Sequence, residues 1–594
     1  MDKKNLTIGV VFFLAAFAIL FFGPHAPQPS PPTPSLGRIA NPLPSNQATA
    51  NATPSASPSD ATFAALETDD TTEGITHLGN DFIDVAFTDH GGAIKSIALK
   101  KYPAALGRPT PYVFNELHVD PMLALVDFPG LDRGTHYVLV SHTEREIIFR
   151  AVLENRIEVT RRYVIEPGDT KTGDPYQLRH ETTFRNLTGE TTPLPRLTLS
   201  LGTAAPIDFR DLGLYLNTGY SDGSSFTFIS RNKLQGGGFF SRHDPLPFIQ
   251  TTAPIVWASV KNQFFTSILT PDEPGTGLIT RRVELPPFPG SLVPDIGVTG
   301  SVLFELKPLA PHEETKLGLD FYVGPKEYNR LANPDVFKHD QDKVMEFGMF
   351  KFFSELLLKI MTWVHGWAHN WGLAIILTTL IIKICSLPFT IASARSTRRM
   401  QKIQPLLKEV REKYKDNAKK LNEAQLALFK EHKVNPVGGC LPMLITFPFF
   451  IGFFGMLRSA SELRLAPFLW VKDLAAPDTI AHLSLPFSLP LFGNVINLNL
   501  LPLLMGATML YQMRLVPQPT MDNAQARMMR FMPLMYVAIC YNYSCALSLY
   551  STINGLFTIV QQLFINRMKD DGDPTHAPGA GGKALKNVTP AKKK

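Results

Sequence analysis

Asn370-Trp371-Gly372-Leu373-Ala374-Ile375-Ile376-Leu377-Thr378-Thr379-Leu380-Ile381-Ile382-Lys383-Ile384-Cys385-Ser386-Leu387-Pro388-Phe389-Thr390 reads as a membrane-spanning helix with a lysine at its centre. A helix needs about 20 predominantly apolar residues to cross a bilayer. A cation halfway along costs on the order of 3 kcal/mol on insertion scales, so it faces a bundle interior or a water-filled cavity. Thr379, Ser386 and Thr390 share the helical face of Lys383, and the other sides are Ile, Leu and Phe. Lys383 stands twelve residues before Arg395, roughly 18 Å at the helical rise. That is too deep for a lysine stem to snorkel to the interface.

A second stretch, Ser544 to Ile565, divides the same way. Tyr543, Ser544, Tyr550, Ser551, Asn554, Thr558, Gln561 and Gln562 fall on one half, and Leu549, Ile553, Leu556, Val560, Leu563 and Phe564 on the other. Two spans with one wet face each imply a polar groove, although Ser and Thr also serve as glue between helices. No acidic residue lies within the spans. The sequence therefore offers Lys383 no buried ion-pair partner, and water is its expected solvation.

Outside these stretches the 594-residue chain changes texture several times. Residues 1–23 carry Lys3 and Lys4 before the apolar run Leu6–Phe22. Gly23-Pro24-His25-Ala26-Pro27 is a poor cleavage site, so an uncleaved anchor is expected rather than a signal peptide. Residues 24–75 are rich in Pro, Ser, Thr, Ala and Asn and read as a disordered tether. Residues 76–330 hold short β-type runs, among them Asp81–Phe87, Ala93–Leu99, Glu146–Leu153, Ile157–Ile165 and Leu317–Val323. Such spacing predicts a two-sheet sandwich. All four cysteines lie beyond residue 345, which leaves this region without a disulfide framework or a Cys-based zinc site.

Two motifs call for restraint. Gly219-Tyr220-Ser221-Asp222-Gly223 matches a nucleophile elbow, but strand-like Phe226–Ile229 follows where a helix is required, so a hairpin turn is expected. His365 and His369 are spaced like a metal pair, without the glutamate of H-E-x-x-H. Trp363, Trp367 and Trp371 around them suit an interfacial anchor better. No metal or cofactor is expected. Residues 331–369 connect to an amphipathic helix lying in the membrane interface, from Phe347 to His369.

A transmembrane helix over 370–392 is followed by a basic segment over 393–434, with twelve Lys/Arg against five Asp/Glu. Met400, Ile403, Leu407, Val410 and Tyr414 form a seam, and a turn near Asp416-Asn417 makes a helical hairpin. The remaining spans fall in 435–566: Val437–Leu457, Leu498–Met513, Phe531–Tyr543 and Ser544–Ile565. Residues 567–594 form a basic tail. The loop Ser459–Asn497 has only Arg464 and Lys472 as basic residues. By the positive-inside rule the hairpin and tail are cytoplasmic and this loop is external. The fold class is a polytopic α-helical membrane protein of six spans, five forming the core bundle, with both termini inside and a large external β-sandwich.

Lys433-Val434-Asn435-Pro436-Val437-Gly438-Gly439-Cys440-Leu441-Pro442, Glu462-Leu463-Arg464-Leu465-Ala466-Pro467-Phe468 and Gln561-Gln562-Leu563 occur in an order that resembles the YidC/Oxa/Alb family of membrane protein insertases, in its long Gram-negative form. The resemblance covers nearly the whole chain. It implies a bacterial inner-membrane protein with its β-sandwich in the periplasm, and a groove open to cytoplasm and lipid. There a cation, here Lys383 where relatives usually carry arginine, attracts acidic residues in the tail of a nascent membrane protein. Thr379 and Tyr550 match substrate-contact positions, and Ser386, Ser551 and Asn554 complete the expected groove. A desolvated lysine gives up its proton more readily than arginine, and a neutral Lys383 would not attract such a tail. The resemblance also implies the Sec translocon, the ribosome and the targeting machinery as partners, through the basic hairpin and tail. Tyr543-Ser544-Cys545 departs from the Pro-Ser-Gly turn that many relatives carry. The external domain resembles the β-supersandwich of sugar mutarotase folds, but it has no carboxylate and histidine placed for mutarotation and is expected to be non-enzymatic. A secondary transporter and an anchored sugar-active protein are the competing readings. The first lacks an internal repeat, and the second leaves Lys383 without a role.

Overall fold

The computed structural model describes residues 73–567, apart from 118–119, 127, 129, 132, 167–172, 209–210, 212, 237–243, 288–294, 416, 433–440, 490–492 and 516–522. The expected anchor at 1–23, most of the tether at 24–75, nearly all of the tail and the first part of the Lys433–Pro442 motif lie outside the described residues. The described chain divides into two compact units. One holds residues up to Thr378 with Thr446–Asn499 and Asn542–Leu547; the other holds Thr379–Ile445, Leu500–Tyr541 and the residues from Ser548 on.

The first unit is built on antiparallel strands. β1 (Ile75–Gly79), β2 (Ile83–Thr88), β3 (Ala93–Pro103) and β4 (Pro111–Phe114) form one sheet in chain order. A nine-stranded sheet contains β5 (Val138–His142), β6 (Glu146–Leu153), β7 (Ile157–Ile165), β8 (Gln177–Asn186), β10 (Asn217–Ser221), β11 (Phe226–Ser230), β13 (Trp257–Lys261), β14 (Phe265–Pro271) and β17 (Glu314–Pro325), in the order β11-β10-β13-β14-β17-β8-β7-β6-β5. β9 (Leu197–Ala204), β12 (Phe248–Ile255), β15 (Gly275–Leu285) and β16 (Asp295–Phe304) make a third sheet, in the order β12-β15-β16-β9.

The expected two-sheet sandwich is thus a long sheet covered by two short ones. Phe87 of β2 packs its ring against Phe149 of β6 and Tyr163 of β7. Gly300 of β16 approaches Val260 of β13 so closely that a Cβ there would lie 2.8 Å from its methyl group. Adjacent strands rotate by about 20–25°, so nine strands turn too far for one cover sheet to follow. Period-two alternation shows which face each strand buries. In β7 the side chains of Ile157, Val159, Arg161, Tyr163 and Ile165 are buried and those between them are more open.

Arg161 is a cation in that buried row. Its Nη1 donates to Gly91 O at 2.6 Å and its Nη2 to Leu123 O, so it ties β7 to two loops. Beside it, His180 faces Arg162 O through Nδ1 at 3.1 Å and the Thr182 hydroxyl through Nε2 at 2.7 Å. A carbonyl only accepts, so Nδ1 carries the proton, and Nε2, which the Arg161 Nη2 donor faces at 3.5 Å, is left as the acceptor of a neutral ring. Burial, reinforced by the Arg161 charge, holds its pKa well below the usual 6.5. A depressed histidine contributes stability above its unfolded pKa and loses it as the pH falls. The stability of this domain is therefore expected to drop below about pH 6.5, by up to about 1.4 kcal/mol per pH unit for this one proton. His180→Gln should flatten that limb, as read by urea midpoints at stepped pH.

Gly219–Gly223 is the expected turn. It runs from the end of β10 into the β10–β11 hairpin, where Asp222 Oδ1 accepts the amides of Ser224 and Ser225 at 2.8 and 2.7 Å. The domain is joined to the segment after β17 by a buried ion pair, Lys261 Nζ to Glu346 Oε2 at 2.8 Å. Arg458 Nη2 donates to Glu346 O at 3.3 Å.

α1 (Lys351–Ala368) buries Ser354, Leu357, Leu358, Met361 and Val364 and exposes Phe352, Trp363 and Trp367. The His365 ring stacks on Trp371 at 3.8 Å between centroids. The segment read as an external loop contains a hairpin, β18 (Thr479–Leu489) and β19 (Gly493–Asn499). Pro486 and Pro490 mask it in the sequence, because proline removes a ladder donor and reads as a strand breaker.

α2 (Trp371–Lys402) contributes to both units and carries Pro388 in its interior. It is ten residues longer than the expected end at 392, and the seam breaks at Ile403 because Pro405 stands in the first turn of α3 (Gln404–Lys413). α3 and α4 (Ala418–Glu431) form the hairpin, with Asn417 Oδ1 accepting Lys420 N at 3.1 Å as the cap of α4. α5 (Leu441–Ser459), α6 (Leu500–Leu515), α7 (Asn523–Cys540) and α8 (Cys545–Arg567) follow. Among the described residues one helix segment, Trp371–Ala394, is long and apolar enough to cross a membrane, and Phe447–Ser459 is a shorter apolar helix. Four of the other expected spans coincide in position with α5–α8, and the first lies outside the described residues.

Candidate functional site

The second unit brings the two wet faces together. Lys383 Nζ on α2 donates to Thr558 Oγ1 on α8 at 3.0 Å. Two turns further along α2, Thr390 Oγ1 accepts from Gln561 Nε2. These are two polar rungs between the same two helices. Lys383 and Thr390 are spaced i, i+7, and Thr558 and Gln561 i, i+3, so each pair shares a helix face.

Around Pro388 the hydroxyls turn inward onto their own helix. Ser386 Oγ donates to Lys383 O at 3.0 Å, and Thr390 Oγ1 donates to Leu387 O at 2.9 Å. Pro388 removes the N–H that Ile384 O would accept, and the two hydroxyl bonds go to neighbouring carbonyls of the same helix, a back-bonding that bends helices. α6 and α7 support α8. A Cβ on Gly555 of α8 would lie 2.8 Å from Thr508 Oγ1 and 2.9 Å from Gln512 Nε2 of α6, and a Cβ on Gly506 of α6 would lie 2.7 Å from Val537 of α7. Small residues admit this approach where no hydrophobic effect drives helices together.

The outer faces are apolar and open. On α8, Val560 is 65% and Phe564 62% exposed, with Leu556 and Leu563 also exposed; on α2, Ile384 is 62% exposed and Phe389 is exposed. Polar side chains between helices and greasy side chains outside invert the arrangement of a water-soluble bundle.

The expected site residues divide into groups. Lys383 is half-buried and bonded to Thr558, a hydroxyl partner in place of water alone. Ser386 is half-buried and bonded within its helix. Ser551 and Asn554 are half-buried on α8, and Asn554 O accepts from Thr558 Oγ1 at 2.7 Å, which orients the hydroxyl toward Lys383. Thr379 and Tyr550 are buried, so the structure does not present them as open groove walls. Tyr543 and Ser544, expected on the wet half of the last span, precede α8: Ser544 Oγ donates to Leu474 O at 2.8 Å, and Cys545 N donates to Ala476 O at 2.9 Å. Thr558 and Gln561, on the wet half of the last span by sequence, join the site through their contacts with Lys383 and Thr390. The i, i+4, i+7 series Asn554, Thr558, Gln561 is their visible signal.

Comparison with known proteins agrees across most of the chain. Residues 76–360 match the family described as the YidC periplasmic domain, and residues 363–572 match the family described as 60Kd inner membrane protein. A protein named membrane protein insertase YidC from Syntrophobacter fumaroxidans is 32% identical over 73% of this chain and 73% of its own length. Another of that name, from Chlorobaculum parvum, is 28% identical over 97% of this chain and 96% of its own. Among solved structures, one titled an active YidC insertase with the first transmembrane domain resolved is 17% identical, with a TM-score of 0.32 over 86% of this chain and 95% of that one.

Proposed function

This chain belongs to the YidC family of membrane protein insertases, and from that premise we propose that Lys383 is the cationic receptor of its insertion groove. The observation that carries the reading is the Lys383–Thr558 contact at 3.0 Å, made between helices whose outer faces are exposed and apolar. A lysine paired with a neutral hydroxyl keeps an uncompensated positive charge. An acidic segment of a nascent membrane protein entering from the cytoplasm meets that charge in place of bulk water. The Coulomb term is worth about 4 kcal/mol at 4 Å for an effective dielectric of 20, enough to offset part of the cost of drawing a hydrophilic tail into the membrane. The client's apolar segment stays outside, against Val560, Phe564 and Ile384, and leaves into lipid.

The surrounding organisation follows from the same premise. The protein spans the bacterial inner membrane six times with both termini in the cytoplasm, and its β-sandwich stands in the periplasm without catalytic work of its own. α1 lies in the interface with Phe352, Trp363 and Trp367 toward lipid. The basic α3–α4 hairpin and the tail meet the ribosome and targeting machinery through phosphates, and the groove works alone or with the Sec translocon.

Reconstituted protein offered a small client with an acidic external tail tests the reading: insertion supports it, and no insertion removes it. Thr558→Val keeps the shape of the rung and removes the acceptor. Insertion is expected to slow by about three- to tenfold, the equivalent of roughly 1 kcal/mol, the part of a hydrogen bond to a charged group that is lost when water takes the place of the hydroxyl. An unchanged rate would make Thr558 incidental to the site.

A further inference from the structure

The segment after α5 holds a rigid turn that the insertion groove does not use. Asp473 Oδ1 accepts the amides of Leu465 at 2.8 Å and Ala475 at 2.9 Å. Leu474 N donates to Ala466 O at 3.0 Å, and Phe468 and Val471 exchange both backbone bonds at 2.9 and 2.8 Å. This small hairpin has Leu469 and Trp470 at its tip. Leu469 sits at φ 52°, a left-handed conformation that bulky residues rarely adopt. It is nonetheless 76% exposed, and Trp470 beside it is 43% exposed. Among the described residues this leucine is both strained and solvent-facing, and strained positions held by their surroundings cluster at binding sites.

The base of the hairpin identifies the occupant. Phe468 lies so close over Gly372, in the first turn of α2, that a Cβ there would be 2.1 Å from its ring. Asn370 Nδ2 donates to Pro467 O at 3.2 Å. The tip is therefore fixed to the mouth of the helix that is long and apolar enough to span, where hydrocarbon gives way to headgroups. The Trp470 indole N–H donates to Asp478 Oδ2 at 3.3 Å, which satisfies its polar end and leaves the ring's apolar body outward. Lys472, exposed two residues on from Trp470, sets an ammonium beside them. An exposed leucine, an indole ring and a cation at that level match the acyl boundary and phosphates of a phospholipid leaflet.

We propose that Leu469 and Trp470 form a preset wedge that inserts into the outer leaflet beside the start of α2. The wedge rests on the membrane location of the family and not on Lys383, so insertion activity is not its readout. The full chain is reconstituted in phosphatidylcholine vesicles containing lipids brominated near the headgroup end of the acyl chain, and tryptophan quenching is compared between the wild type and Trp470→Phe. The substitution is expected to remove a bromolipid-quenched, iodide-shielded component. Loss of an iodide-quenched component with bromolipid quenching unchanged would overturn the wedge. Leu469→Gly supplies a second measurement that keeps the fold, because glycine favours the positive φ. It should raise iodide quenching of Trp470 severalfold, and no rise would count against insertion of the tip.

Discussion

Lys383→Ala in reconstituted vesicles is expected to insert an acidic-tailed client at least about tenfold more slowly, the equivalent of about 1.4 kcal/mol in the barrier. Lys383→Arg should stay close to the wild type. The attraction of a bare cation for a carboxylate near the protein surface is larger than this, but hydration of the groove offsets part of it. Arginine restores the charge and offers more donors to Thr558, with a planar geometry. A client whose tail is uncharged has nothing to gain from the cation, so its insertion should respond little to either substitution. A defect of equal size for both clients would point to a folding loss instead, and Lys383→Met separates the two by keeping the stem without the charge.

Arg161→Ala is expected to destabilise the β domain by about 3–5 kcal/mol, the combined cost of two orphaned carbonyls and of the cavity a large buried side chain leaves. Two carbonyls, Gly91 O and Leu123 O, lose their donor, and each buried group left unsatisfied costs about 1–3 kcal/mol. The cavity left by a fully buried side chain adds to this. Trp257, buried on β13, reports the unfolding of this domain by fluorescence against urea. A shift below about 1 kcal/mol would mean that water enters and satisfies both carbonyls. At temperatures where the variant stays folded, insertion should be retained, because the domain does no chemistry in this scheme.

Much of this architecture is legible in the chain because it depends on local periodicity. Ile157–Ile165 alternates with period two and becomes a strand with one buried face. Trp371–Ala394 is apolar over its length and becomes a helix long and apolar enough to cross a membrane. Lys383 stands out because one charge in such a run has so few physical solutions. Features that depend on tertiary placement are less visible. Nothing in the sequence divides the cover of the nine-stranded sheet in two, since that follows from accumulated twist. Pro486 and Pro490 conceal the β18–β19 hairpin. The end of α2 depends on Pro405, which reads equally well as a continuation or a restart. Thr558 could be placed on a wet face but not opposite Lys383, because register between two helices is set by contacts such as Gly555 on Thr508. Thr379 and Tyr550 read as groove residues in the sequence, and the fold buries both away from the open side chains.

Site-specific photocrosslinking to a stalled nascent chain tests the receptor role of Lys383 most directly. Probes at positions 386 and 554, which flank Lys383 and leave it in place, are expected to capture the acidic hydrophilic tail of the client, and probes at 560 and 564 on the exposed face of α8 its apolar segment. Insertion that proceeds while positions 386 and 554 capture nothing, or with the two faces capturing the two segments indiscriminately, would contradict a cationic groove at Lys383.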